Sequence, residues 1–274
     1  MPQGRDTDLA TALERDGFAV TPFLGPEVVA ELLDVFTTLG LDDEPWYTTT
    51  GHAPRPVARR IDRLVRHAVA DAVSRALPGF TPFTGAFISK ASTEQSTVFL
   101  HQDWTYVDET RSRAFIAWCP LIDVGVREGT LHVVPGSHRW THLTRGSHFP
   151  PVYEDVEQLL IDDHTVPVPV VAGTAVVYDS ALLHYSPPNR SGAVRPVVAV
   201  GLAPVDAPLV HHFADADGLA TIYEVDDRFF TEQENGRQPQ GCRMLGRYRV
   251  SGRRFTPDDI ARLATAPGGG ATRG

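Results

Sequence analysis

The sequence predicts a mainly β protein with flanking helices, its β part a barrel or jelly roll. Three observations carry this reading. The first third shows apolar residues at helical spacing. From about residue 80 the period shortens, and β-rich runs punctuated by Gly, Pro and Asn follow one another as far as about residue 204. A single short helical pattern, TPDDIARLATA, comes near the end.

The elements follow in order. Asp8 to Asp16 reads as a helix, and GFAVTPF after it as extended chain. Pro26 to Leu39 is amphipathic, with Pro26 at a first-turn position that has no use for an N–H. Residues 57 to 77 form another amphipathic helix. Its arginines (Arg59, Arg60, Arg63, Arg66) make a solvated face opposite an apolar stripe. The predicted strands are TGAFISKAS, STVFLHQDWTY, RAFIAWCPLID, GTLHVVPGS, TVPVPVV, GTAVVYDSALLHYS and VRPVVAVGLAP. Residues 140 to 165 and 205 to 255 read as loop-rich. In the last helix Thr256 is the N-cap and Pro257 lies in the first turn. PGGGATRG reads as disordered.

Bulk properties narrow the function. The chain has 274 residues and a net charge of −9. That charge argues against a nucleic-acid partner and a polybasic membrane anchor. Cys119 and Cys242 are too few for a disulfide framework, so a reducing cytoplasm is expected. No secretory h-region and no run of membrane-span length is seen. Lys90 is the sole lysine among 25 basic residues. An arginine-rich bias of this kind suits a GC-rich genome, and a lysine that survives it has a reason to be there.

The chemistry starts at HQD. On a strand, His101 and Asp103 share one face and Gln102 the other. An imidazole and a carboxylate aimed into a core need partners. A hydrogen-bonded His–Asp pair would be one solution. A metal is the other, with His184 in ALLHYSPPNRSGAVRP as a remote third ligand. Two imidazoles and one carboxylate on one face of an octahedral ion suit non-haem Fe(II) and O2 chemistry. Arg195, set between Val194 and an apolar run, is expected to be buried and to want an anion. A dicarboxylate that chelates the metal at one end and meets the guanidinium fork at the other satisfies both. His132, His138 and His142 read as ordinary strand or loop histidines. Gly-x-Ser-x-Gly and Walker patterns are absent.

HQD, GTLHVVPGSHR and HYSPPNRSGAVR, in this order, make the chain resemble the phytanoyl-CoA dioxygenase-like family of Fe(II)/2-oxoglutarate oxygenases. The resemblance runs from about residue 14, at ERDGFAVTPFL, to about residue 204. It implies a double-stranded β-helix (jelly-roll, cupin-like) core with iron at its open end. It implies His101, Asp103 and His184 as metal ligands and Arg195 as the partner of the far carboxylate of 2-oxoglutarate. By the same resemblance Lys90, Trp118 and Ser186 lie near that cosubstrate. Asp103 stands where related halogenases have a small residue, which argues against halogenation.

The expected activity is that of a dioxygenase consuming 2-oxoglutarate and O2, releasing succinate and CO2, and hydroxylating an unactivated C–H of a small molecule. The expected setting is bacterial secondary metabolism, such as antibiotic biosynthesis. Desaturation, cyclisation or epimerisation are the alternatives within the class. A zinc or manganese isomerase or hydrolase on the same barrel, or a non-catalytic binding module, are the alternatives outside it. One domain is expected over 1–274. It has a helical part at about 1–79, a β-helix core at about 80–204, a lid and extension at about 205–266, and a disordered tail at 267–274. Substrate contacts are expected from Trp104, Phe229, His211, His212 and Arg243, with Trp140 and His148 in the lid segments.

Overall fold

The computed structural model describes residues 9–40, 44–232 and 236–265. The predicted tail at 267–274 and Asp8 lie outside the described residues. Helix α1 (Leu9–Asp16), strand β1 (Phe18–Pro22) and helix α2 (Pro26–Leu39) open the chain. Strand β2 (Trp46–Thr48), the one-turn helix α3 (Thr49–His52) and the long helix α4 (Arg55–Ala76) follow. Next come β3 (Phe80–Lys90), β4 (Val98–His101), β5 (Phe115–Pro120), β6 (His132–Val133), α5 (Glu157–His164), β7 (Val166–Pro167), β8 (Thr174–Asp179), β9 (His184–Ser186) and β10 (Arg195–Pro204). The C-terminal part holds β11 (Leu209–Ala214), β12 (Leu219–Val225), α6 (Phe229–Glu232), β13 (Arg243–Arg249) and α7 (Pro257–Thr265).

The strands form a jelly roll. A six-stranded sheet of order β1-β8-β5-β10-β3-β2 faces a four-stranded sheet of order β4-β9-β6-β7. Alternation along each strand divides the large sheet between two cores. Ile116, Trp118, Val176, Tyr178 and Val197 point toward the small sheet and pack with Leu131, Val133 and Val170. Ala117, Cys119, Ala175, Val177, Val198 and Val200 point outward and are covered by the N-terminal helices through Leu13, Leu32, Phe36, Ile61, Val65 and Val69. Helix α4 owes its seat to this spacing of apolar residues at i, i+3 and i+4. Gly85 admits it, since a Cβ there would stand 2.7 Å from Val65. Parity also explains the site. Lys90 and Arg195 pair across β3 and β10, at the ends where these strands carry Ile88 and Val197 toward the inner core.

Two segments depart from the sequence reading. Residues 205–255 are not mainly loop: β11, β12 and β13 form a third antiparallel sheet. Their side chains (HHF, RMLGRYR) are too polar to show an apolar alternation. Residues 140–165 contain α5, whose Leu160 is fully buried beside Tyr153 and Phe255. The capping expectation for α7 holds, with Thr256 Oγ1 accepting the Asp259 N–H at 3.3 Å and Asp259 Oδ2 accepting the Thr256 N–H at 3.0 Å.

Candidate active site

Strand β4 ends at His101, so Asp103 stands two residues beyond the regular ladder rather than on it. The carboxylate nevertheless comes alongside. His101 is the direct cross-strand partner of His184, and their rings lie 4.3 Å apart. His184 Nε2 is 3.9 Å from Asp103 Oδ2. One ligand atom from each of His101, Asp103 and His184 falls within 4.8 Å of the others.

The two histidines are held in the same way. His101 Nδ1 meets the Phe99 carbonyl at 2.8 Å, and His184 Nδ1 meets the Leu182 carbonyl at 2.9 Å. A carbonyl can only accept, so both Nδ1 atoms carry the proton and both Nε2 atoms present a lone pair. Burial, followed by the neighbouring His101, lowers the His184 pKa to about 4 and keeps the ring neutral. Asp103 Oδ2 is buried with no hydrogen-bond partner. Such an oxygen is costly unless something absent from the protein itself completes it. Two outward Nε2 atoms and one orphaned carboxylate oxygen are the donor set that an Fe(II)-type ion takes.

A cavity of about 350 Å³ opens on these residues. At another part of its wall Arg195 is 1% exposed. Its Nη1 donates to the Gly129 carbonyl and, at 3.1 Å, to Ser186 Oγ. The guanidinium carbon lies 5.2 Å from the Trp118 ring centroid, and Nε has no partner. Burial alone drops the Arg195 pKa to about 9. Gly129 is required here. Its φ is +67°, and a Cβ would stand 2.5 Å from the Pro187 carbonyl oxygen.

Trp118, Ser186 and Arg195 line the cavity, whereas Lys90 stands behind Ser186. Lys90 is wholly buried. Its Nζ donates to Ser186 Oγ at 2.6 Å, the Pro187 carbonyl at 2.7 Å and the Ser186 carbonyl at 3.0 Å. These three acceptors match in number the N–H groups of the ammonium form. Burial, followed by the charge of Arg195, pulls the Lys90 pKa to about 6.

Of the suggested substrate contacts, Trp104, His211 and Phe229 reach the cavity. His212 instead bonds Tyr248 Oη at 2.9 Å, and Arg243 pairs with Glu224 on the surface. Among the lid residues, Trp140 packs in the Tyr153–Phe255 core and His148 bonds the Gly236 carbonyl. His132 packs against Tyr185, while His138 is buried and bonds the Glu14 carbonyl at 3.1 Å. Further lining comes from Trp46, Thr48, Thr50 and Tyr178, which the sequence did not single out. Tyr178 Oη lies 3.4 Å from His184 Nε2. Burial, then the Asp103 charge, holds this phenol well above its ordinary pKa.

Among the described residues no helix is long and apolar enough to cross a membrane. The profile of the family described as Phytanoyl-CoA dioxygenase (PhyH) matches residues 13–197. No curated protein matches the chain. Solved structures do. AviO1 from Streptomyces viridochromogenes Tue57 is 26% identical, with 75% of this chain and 99% of that chain covered and a TM-score of 0.51. The epimerase SnoN in complex with Fe3+, alpha ketoglutarate and nogalamycin RO is 22% identical over 73% of this chain and 84% of that chain, with a TM-score of 0.54. HygX from Streptomyces hygroscopicus with nickel, 2-oxoglutarate and hygromycin B is 18% identical over 74% of this chain and 88% of that chain, with a TM-score of 0.53. The family match spans more than half the chain and includes His101, Asp103, His184 and Arg195; the chain belongs to the phytanoyl-CoA dioxygenase (PhyH) family.

Proposed function

We propose that this chain is an Fe(II)/2-oxoglutarate-dependent dioxygenase that hydroxylates an unactivated C–H of a small molecule of secondary metabolism. The observation that carries the reading is the trio of half-buried His101 and Asp103 with buried His184, with two outward Nε2 lone pairs and an orphaned Asp103 Oδ2. These three would hold Fe(II). Bound there with O2 and 2-oxoglutarate, the ion would supply the oxidising chemistry, with succinate and CO2 released.

The protein's own part is placement. Arg195 would receive the far carboxylate of 2-oxoglutarate, supported on one side by Trp118 and on the other by Ser186 and Gly129. Lys90 would act as a positioning residue, fixing Ser186 from behind. Tyr178, Trp104 and Phe229 would wall the reacting space and keep water out. We read the whole chain as one catalytic unit, with the third sheet contributing to the wall.

Bound small molecules in SnoN and HygX support a free small-molecule substrate. A second reading within the class has its own support. SnoN is described as an epimerase and SnoK as a carbocyclase, so epimerisation or ring closure is the alternative outcome of the same site. The test is to supply the purified protein with Fe(II), 2-oxoglutarate and O2 and assay succinate. Formation that requires Fe(II) and disappears in Asp103→Ala supports the proposal. No succinate under any condition, substrate panels included, sinks it.

A further inference from the structure

The cavity at His101, Asp103 and His184 has to hold an ion and 2-oxoglutarate as well as the reacting part of the substrate. Its volume of about 350 Å³ is near the lower end for a ligand pocket, roughly 300–1,000 Å³. Little room is left for a large molecule. A second and larger cavity, about 650 Å³, adjoins it. His101, Gln102 and Trp104 line both. The two cavities thus share one wall, made of a candidate metal ligand and its neighbours.

The groove lies between edge strand β4, the 142–154 segment and the end of β13. Its wall carries flat apolar groups: Phe99, Trp104, Phe149, Pro150, Pro151 and Tyr248. Phe99 is 67% exposed, the highest among the large exposed aromatics, and its ring lies 5.2 Å from that of His101. The charged groups of the groove are largely spent on the protein. Arg145 is taken by the Glu109 carboxylate and the Asp103 and Leu143 carbonyls. Glu154 pairs with Arg254 at 2.6 Å, Glu157 accepts the Leu100 N–H at 3.1 Å, and Arg249 donates to the Asp217 carbonyl at 3.1 Å. A phosphate-bearing thioester would need cations free to meet it, and this groove does not offer a cluster of them. Ring faces with attached hydroxyls suit it better, since aromatic and proline surfaces stack on them. Tyr248, Arg249, Val250 and Ser251 lie beyond the 13–197 stretch that matches the family, so this wall belongs to the chain's own extension.

We propose that this groove is a binding site for the non-reacting part of a large, uncharged, multi-ring substrate, whose reacting part sits at His101, Asp103 and His184. The proposal rests on the metal-site reading above, and the experiment separates the two. Calorimetry on protein loaded with Mn2+ and 2-oxoglutarate uses four probes: naringin, an anthraquinone glucoside, cellotetraose and acetyl-CoA. The variants are Phe149→Ser, which removes a ring from the groove wall, and Ser251→Trp, which fills the groove from an exposed position. At least one neutral probe should bind, and each variant should weaken it roughly tenfold. Affinities for Mn2+ and 2-oxoglutarate should stay within about twofold in both variants, because neither position touches the ligand atoms. No binding by any neutral probe, or equal binding in the wild type and both variants, overturns the groove. Tighter binding by acetyl-CoA than by every neutral probe overturns the substrate class. Failure of the unmodified protein to bind Mn2+ and 2-oxoglutarate would instead strike the metal-site reading.

Discussion

Arg145 Nε donates to the Asp103 main-chain carbonyl at 2.7 Å. The same guanidinium grips the Glu109 carboxylate and the Leu143 carbonyl, and the Arg145 and Thr105 backbones exchange further hydrogen bonds with one another's residues. Two residues on, Ser147 Oγ meets His211 Nε2 at 3.1 Å. The 143–147 segment thus ties the loop carrying Asp103 to the third sheet. No motif foretells this tie, because it requires three distant segments to meet.

Arg145→Met should therefore destabilise the fold by about 3–5 kcal/mol, as it strands the buried Glu109 charge. The double variant Arg145→Met/Glu109→Leu should recover much of that loss. Metal affinity should remain about 10- to 100-fold weaker in both, since a lost outer partner lets the ligand loop move. Urea unfolding and Mn2+ titration on the same samples check this. Full metal affinity in the double variant would remove Arg145 from the support of Asp103.

Arg195→Ala should weaken 2-oxoglutarate binding by about 2–5 kcal/mol, the scale for losing a buried charge partner. Arg195→Lys should rescue only in part, because a point charge cannot reproduce the fork. It would also set a second lysine beside Lys90. Binding of 2-oxoglutarate to the metal-loaded variants is the measurement; an affinity unchanged in Arg195→Ala would place the cosubstrate elsewhere.

Gly129→Ala should impair the same step from a different direction. The added Cβ meets the Pro187 carbonyl in a backbone conformation that alanine resists. The Gly129 carbonyl accepts from both Arg195 and Ser186, so the carboxylate seat should loosen. We expect a rise in 2-oxoglutarate Kd of roughly tenfold, about 1.4 kcal/mol, with metal affinity little changed. Equal loss of both would mean a general distortion rather than a local one.

Stability should fall as pH drops from about 6.5 to 4. Burial lowers the pKa of His138 to about 4. In that window the unfolded chain takes up the proton and the folded one does not, so stability rises with pH and is lost on acidification. His138 lies far in the sequence from the candidate metal ligands, bonded to the Glu14 carbonyl. His138→Asn should flatten the slope of unfolding free energy against pH by up to about 1.4 kcal/mol per pH unit. An identical slope in wild type and variant would contradict the buried neutral ring.

The jelly roll was legible because its core strands are β-branched and well punctuated. The site was legible in part. HQD, His184 and Arg195 were visible as residue types that an apolar strand has no other use for, and they come to one cavity. Composition singled out Lys90 as the sole lysine, and it is wholly buried. It could not say that Nζ would be engaged by Ser186 and Pro187. Tyr178 and Gly129 sit in runs that read as ordinary core strand and turn, and only the facing sheet gives them a role. Trp46, Thr48 and Thr50 come from a stretch that lacks an extended period, since β2 is only three residues long.

The most direct test is an anaerobic titration of Fe(II) into the wild type and into Asp103→Ala, His101→Ala and His184→Ala, followed by 2-oxoglutarate. The account predicts one Fe(II) per wild-type chain, 2-oxoglutarate binding that depends on the metal, and greatly weakened Fe(II) binding in all three variants, each still folded. Stoichiometric Fe(II) binding that survives in any one of the three, at wild-type affinity, would contradict it.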